Sequence, residues 1–166
     1  MKKILAIAAA ALMVAACGGN KGGFDKVEPI KDGVTIENES YSLMVPQGFE
    51  ESWNSSGVIN ASDGEGALFS INYQETGGPT KSNLKQMGEN YKSMVHALDQ
   101  EAKSDDPKID GDLLTVRSLT GGKVRIDYAY VIENGKGIFG MFTFPEDKAA
   151  QYEDKLLPIL KSVVIK

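Results

Sequence analysis

The sequence holds one cysteine and one histidine in 166 residues, and that scarcity removes whole classes of chemistry. A lone thiol cannot close an intrachain disulfide or build a thiolate cage for a metal, so stability must come from packing. Any Ser-His-Asp or Cys-His arrangement would have to be built on His96, which falls on the solvated side of an expected helix. Runs of Lys or Arg interleaved with aromatics are missing too. With 23 acidic residues against 18 basic ones the chain repels phosphate backbones, so no nucleic-acid partner is expected. Beyond residue 16 no apolar stretch approaches the ~18 residues needed to span a bilayer.

What is present begins at the N-terminus. Lys2 and Lys3 precede an uncharged apolar run from Ile4 to Leu12, and small residues follow, which reads as a secretion signal over residues 1–16. The run Val14-Ala15-Ala16-Cys17 resembles the lipobox of bacterial lipoproteins. That resemblance implies a diacylglyceryl group on the Cys17 thiol, cleavage just before it, and acylation of the new amino group. Two or three acyl chains, at about 0.8 kcal/mol per buried methylene, make release negligible. The membrane is thus an expected partner, reached through lipid. Gly18 stands where Asp resembles an inner-membrane retention signal in enterobacterial lipoproteins, which points to the outer membrane, facing the periplasm. Losing Lys2 and Lys3 makes the formal charge of −5 more negative still.

Residues 17–33 read as a lipidated flexible tether, because Gly18 to Gly23 carries four glycines and no apolar side chain. Residues 34–166 read as one domain. Val34-Thr35-Ile36 and Tyr41 to Val45 predict two short strands, the second ended by Pro46. Phe49 to Gly66 fits neither period, with Ser55-Ser56-Gly57 a turn. Ala67, Phe69, Ile71 and Tyr73 alternate with polar residues as a strand does. Leu84, Met87, Tyr91, Met94, Val95 and Leu98 recur at helical spacing, with Thr80 or Ser82 as the cap. Lys103 to Asp110 reads as a polar loop.

Three strands follow, Leu113 to Leu119, Val124 to Ile132 and Ile138 to Phe144, joined through Gly121-Gly122 and Asn134-Gly135. Two-residue turns at both ends would place Ala129 opposite Leu114 and Gly140. Val116, Val131, Ile138, Phe142 and Phe144 would then share its face, leaving Val124, Ile126, Tyr128, Tyr130, Ile132, Phe139 and Met141 on the other. Both faces are apolar and need cover, from the first helix and from a second over Asp147 to Leu160, kinked by Pro158. Val163 to Ile165 reads as a closing strand.

This order of elements, with Tyr41-Ser42-Leu43-Met44-Val45-Pro46-Gln47-Gly48-Phe49, resembles the Mog1/PsbP-like superfamily over residues 34–166. That group includes photosystem II extrinsic proteins, DcrB-like bacterial lipoproteins and chaperones of type VI secretion effectors. The resemblance implies an α+β domain, an α/β/α sandwich whose mostly antiparallel sheet is covered by one helix on each face. It supplies no catalytic residue and no cofactor.

Four stretches carry chemically suggestive residues. Gly77-Gly78-Pro79-Thr80-Lys81-Ser82 sits between strand and helix as a phosphate loop does, but Thr80 and Glu75 stand where glycines are required. Asp105, Asp106, Asp110 and Asp112 cluster without the spacing of an EF-hand, so they read as a solvated acidic loop and no metal is expected. Arg125 and Asp127 share one strand face with apolar neighbours, where a structural ion pair is expected. Trp53, the single tryptophan, lies in the segment without a period and is the candidate contact for a partner; the alternative is that it fills the rim of the core. The functional expectation is a lipid-anchored, non-enzymatic protein that binds or helps assemble another protein of the bacterial cell envelope. The alternative is a carrier or sensor of a small apolar ligand, and an enclosed apolar cavity would distinguish it.

Overall fold

The computed structural model describes residues 23–133 and 135–166; Cys17 and the rest of the N-terminal segment lie outside them. Strands β1 (Gly33–Glu37) and β2 (Tyr41–Pro46) form a hairpin. Next come β3 (Glu50–Asn54), β4 (Val58–Ser62) and β5 (Leu68–Gln74), followed by helix α1 (Leu84–Leu98). Two short strands, β6 (Lys103–Ser104) and β7 (Lys108–Asp110), lead into the long meander of β8 (Leu113–Thr120), β9 (Lys123–Glu133) and β10 (Lys136–Pro145). Helices α2 (Ala149–Tyr152) and α3 (Leu156–Lys161) and strand β11 (Val164–Ile165) complete the chain. The main sheet runs β3-β4-β5-β10-β9-β8-β6 with β7 also on β8, and the small sheet runs β1-β2-β11, all pairings antiparallel.

The meander is where expected, but one register is not. Ala129 pairs with Leu114, yet on its other side it pairs with Phe139 instead of Gly140. Glu133 pairs with Lys136 across the turn, and the next pair is Val131 with Gly137, so Ile132 is an extra residue. Such a bulge shifts the strand by one residue and turns every later side chain to the opposite face. Ile138, Phe142 and Phe144 therefore join Val124, Ile126 and Tyr128. Phe139 joins Leu114, Val116, Ala129 and Val131.

Helix α1 covers the second of these faces, setting Leu84, Met87 and Tyr91 on Leu114, Val116, Ala129 and Val131. Near its C-terminus Val95 stays buried, but Met94 is 39% and Leu98 75% exposed. Neither Thr80 nor Ser82 caps it: Asn83 occupies the cap position, and its Oδ1 accepts from the Thr80 amide at 2.8 Å instead of from the helix. The other face is packed by an aromatic cluster, Phe49, Phe69, Phe142, Phe144 and Tyr152, under the small sheet and the two C-terminal helices.

The second helix is broken. A proline lacks the amide for a helical bond to the residue four before it, and its ring collides with that carbonyl. Pro158 thus forbids a helix running through Asp154; the chain turns at 153–155 and Pro158 sits in the first turn of α3. The segment expected as a polar loop at Lys103 to Asp110 gains two short strands because β8 offers it a free edge.

The core begins earlier than Val34. Phe24 is 3% exposed and meets Tyr130 edge to face at 5.0 Å, with the Lys161 ammonium 4.6 Å above its ring. Asp110 accepts from the Gly23 and Phe24 amides, both at 2.9 Å.

Candidate functional site

The segment without a period is a hairpin. Ser55 and Val58 exchange backbone hydrogen bonds at 2.9 and 3.3 Å around Ser56 and Gly57, closing β3 on β4. Glu51 pairs with Ala61, but Trp53 pairs with Asn60, leaving Ser52 as an extra residue in β3. Directly opposed residues of an antiparallel pair share a face. The bulge therefore points Glu51 toward the aromatic face and Trp53 toward the α1 face, where uninterrupted alternation would have kept them together.

Trp53 heads a row across that face: Asn60, then Ser70, then Met141, then Asp127. Helix α1 lies over β8 and the short β6 and β7, at the far end of the row. Toward β3 the face stays half-buried and mostly polar, with Asn60, Ser70, Asn72 and Thr143 beside Met141. Asn60 Oδ1 has no hydrogen-bond partner among the described residues. At the edge Trp53 is 53% exposed, so it does not fill the rim of the core.

On the other side of β3 lies an open cleft of about 600 Å³ between it and β1, lined by Val34 to Glu37 and Gln47 to Glu51. The turn at Gly48, where φ is +93°, forms part of its lining. Asn54 ties β3 to β1 beside the cleft: its Nδ2 donates to the Glu37 carbonyl at 2.9 Å and to Glu51 Oε2 at 2.7 Å. Lys166 sits 2.8 Å from Glu37, and its hydrogen bond holds that carboxyl below the usual range.

The other suggestive residues are committed to structure. Arg125 forks onto Asp127, Nε to Oδ2 at 2.8 Å and Nη2 to Oδ1 at 2.7 Å, forming the expected ion pair. Asp127 is 2% exposed, and the bulge sets Met141 beside it where Phe142 was expected. Burial pushes the nearby Tyr91 hydroxyl up to about 12, with the Asp127 charge adding to the effect. Lys81 lies 2.7 Å from Asp112, and Gly78 donates its amide to the Gly135 carbonyl. The four aspartates do not converge: Asp105 is exposed, Asp106 pairs with Lys92 at 2.8 Å, Asp110 holds the Gly23 and Phe24 amides, and Asp112 faces Lys81. Among the described residues no three His, Cys, Asp or Glu side chains are placed to hold a metal ion. His96 is exposed on α1, and Asp99, one turn on, accepts from the Thr120 hydroxyl at 2.6 Å.

The sequence matches no protein-family model and no curated protein. Its fold does have solved counterparts. The Ran-binding protein Mog1p of Saccharomyces cerevisiae superposes with a TM-score of 0.56 at 12% identity, over 81% of this chain and 95% of that one. The cyanobacterial PsbP protein of Synechocystis superposes with a TM-score of 0.55 at 17% identity, over 92% of this chain and 98% of that one. The domain is therefore an α+β domain of the Mog1/PsbP-like fold.

Proposed function

We propose that this is a non-enzymatic binding protein of the bacterial cell envelope, displayed by lipid on Cys17 from the outer membrane into the periplasm, that holds another protein against its β3 edge. The observation that carries the reading is the exposed Trp53, re-aimed by a bulge onto a half-buried, mostly polar stretch of sheet. A large, rigid, exposed aromatic is the residue type that dominates interface centres. One structural neighbour is itself a Ran-binding protein. In the stretch that hinted at phosphate binding, Lys81 faces Asp112 and Gly78 bonds to Gly135, while His96 stands exposed on α1. The carrier reading gains no support beneath α1, where Leu84, Leu114, Val116, Ala129 and Val131 are all at most 4% exposed.

The test is crosslinking in intact envelopes with Trp53→Ala. Loss of a central tryptophan costs ~2 kcal/mol or more of binding, so the crosslinked partner falls by roughly thirtyfold. The melting temperature stays within a few degrees, as for other surface substitutions. A large drop in melting temperature would make Trp53 structural, and a wild-type chain that captures no envelope protein would end the reading.

A further inference from the structure

From the β1 edge and the charge of the cleft beside it we infer that the partner enters as an extended, lysine- or arginine-bearing segment that adds a strand to β1. This deepens the partner-binding reading and rests on it. In an antiparallel pair, alternate residues turn their amide and carbonyl away from the partner strand. Asn38 donates to the Tyr41 carbonyl at 2.9 Å, which closes the hairpin and sets the alternation. By that count Glu37, Thr35 and Gly33 face outward. Three contacts agree: the Glu37 carbonyl accepts from Asn54 on the cleft side, the Met44 amide opposite Thr35 donates to Ser162 Oγ at 2.8 Å, and Gly33 pairs with Pro46, which has no amide hydrogen to give. Thr35 therefore presents both its N–H and its C=O to the cleft, and no described strand pairs with β1 on that side.

An open strand edge with a wall of side chains beside it is the geometry of strand addition: main-chain hydrogen bonds hold the segment, and alternate side chains are read by the wall. Here the wall is acidic. Glu37 and Glu51 turn their carboxylates along the cleft, Glu50 borders it with its side chain on the Trp53 face, no Lys or Arg is among its lining residues, and Lys166 reaches only Glu37 and the Asn38 carbonyl. Val34, 38% exposed, supplies an apolar contact between the charges.

The test uses the full chain and the synthetic peptide acetyl-Lys-Val-Lys-Val-Lys-amide, with two controls: the same peptide with Glu for Lys, and one N-methylated on alternate amides. The lysine peptide should bind and slow hydrogen exchange at the Thr35 amide, while both controls bind at least about tenfold more weakly. Because the Thr35 amide faces away from β2, Thr35→Pro should leave the melting temperature in place and weaken the peptide about tenfold or more, whereas Thr35→Val should not. Glu51→Lys should weaken it similarly, and Glu50→Lys, on the other face of β3, should weaken it less. Absence of peptide binding, equal binding of the Glu peptide, or unaltered exchange at Thr35 would each overturn strand addition. Envelope crosslinking separates this from the broader reading: a partner captured equally by Thr35→Pro and lost with Trp53→Ala removes strand addition and leaves the partner.

Discussion

Arg125 and Asp127 stand two apart on β9, so their side chains leave the same face and meet as a bidentate fork. A carboxylate that is 2% exposed is tolerable only because both of its oxygens are engaged by the guanidinium. Removing one partner leaves a buried charge, while replacing both with apolar groups removes the desolvation cost as well. Arg125→Ala should accordingly destabilise by about 3 kcal/mol, and Arg125→Met with Asp127→Leu should come within about 1 kcal/mol of the parent. Urea midpoints for the single and double variants decide it. Equal losses in both would mean that the pair contributes through packing alone.

At the scale of elements, two bulges decide which side chains meet. Tyr128 shares its face with Gly140, and its hydroxyl reaches over that glycine to the Ser70 carbonyl at 2.7 Å. A Cβ on Gly140 would lie 2.0 Å from that carbonyl oxygen and 2.9 Å from the tyrosine hydroxyl. Gly140→Ala should therefore cost about 1–3 kcal/mol by denaturant titration, through strain against β5 and not against α1. A parent-like midpoint would refute the register. The strands and the first helix were legible because alternation and helical spacing leave a mark in composition. The bulges were not, since an extra Ser52 or Ile132 is an ordinary residue in an ordinary strand. That is why Phe142 and Phe144 were expected on the wrong face, and why the stretch around Trp53 showed no period. The candidate site was visible in the sequence only as a lone tryptophan, and its neighbours Asn60 and Ser70 came from pairing across three strands. The outward Thr35 left no sequence signal at all, because edge position belongs to topology.

For the whole molecule the first question is processing at Cys17. Mass spectrometry of the mature N-terminal peptide should find a diacylglyceryl cysteine, and Cys17→Ser should leave the precursor uncut; a mature chain that keeps Met1 would refute the anchor.

If the anchor is there, the burial of Phe24 sets the geometry of the whole display. The domain is fixed from Phe24 and not from Val34, so about seven residues separate lipid from core, a reach of at most ~25 Å, where seventeen would have allowed ~60 Å. The end of the domain formed by Asp110, Tyr130 and Lys161 must then ride close to the bilayer. The β3 edge lies four strand spacings from β9, about 19 Å to the side. On that reading the leash caps how far the Phe24 end of the domain can stand from the bilayer, which would favour neighbours seated near the same leaflet over those that pass by at a distance.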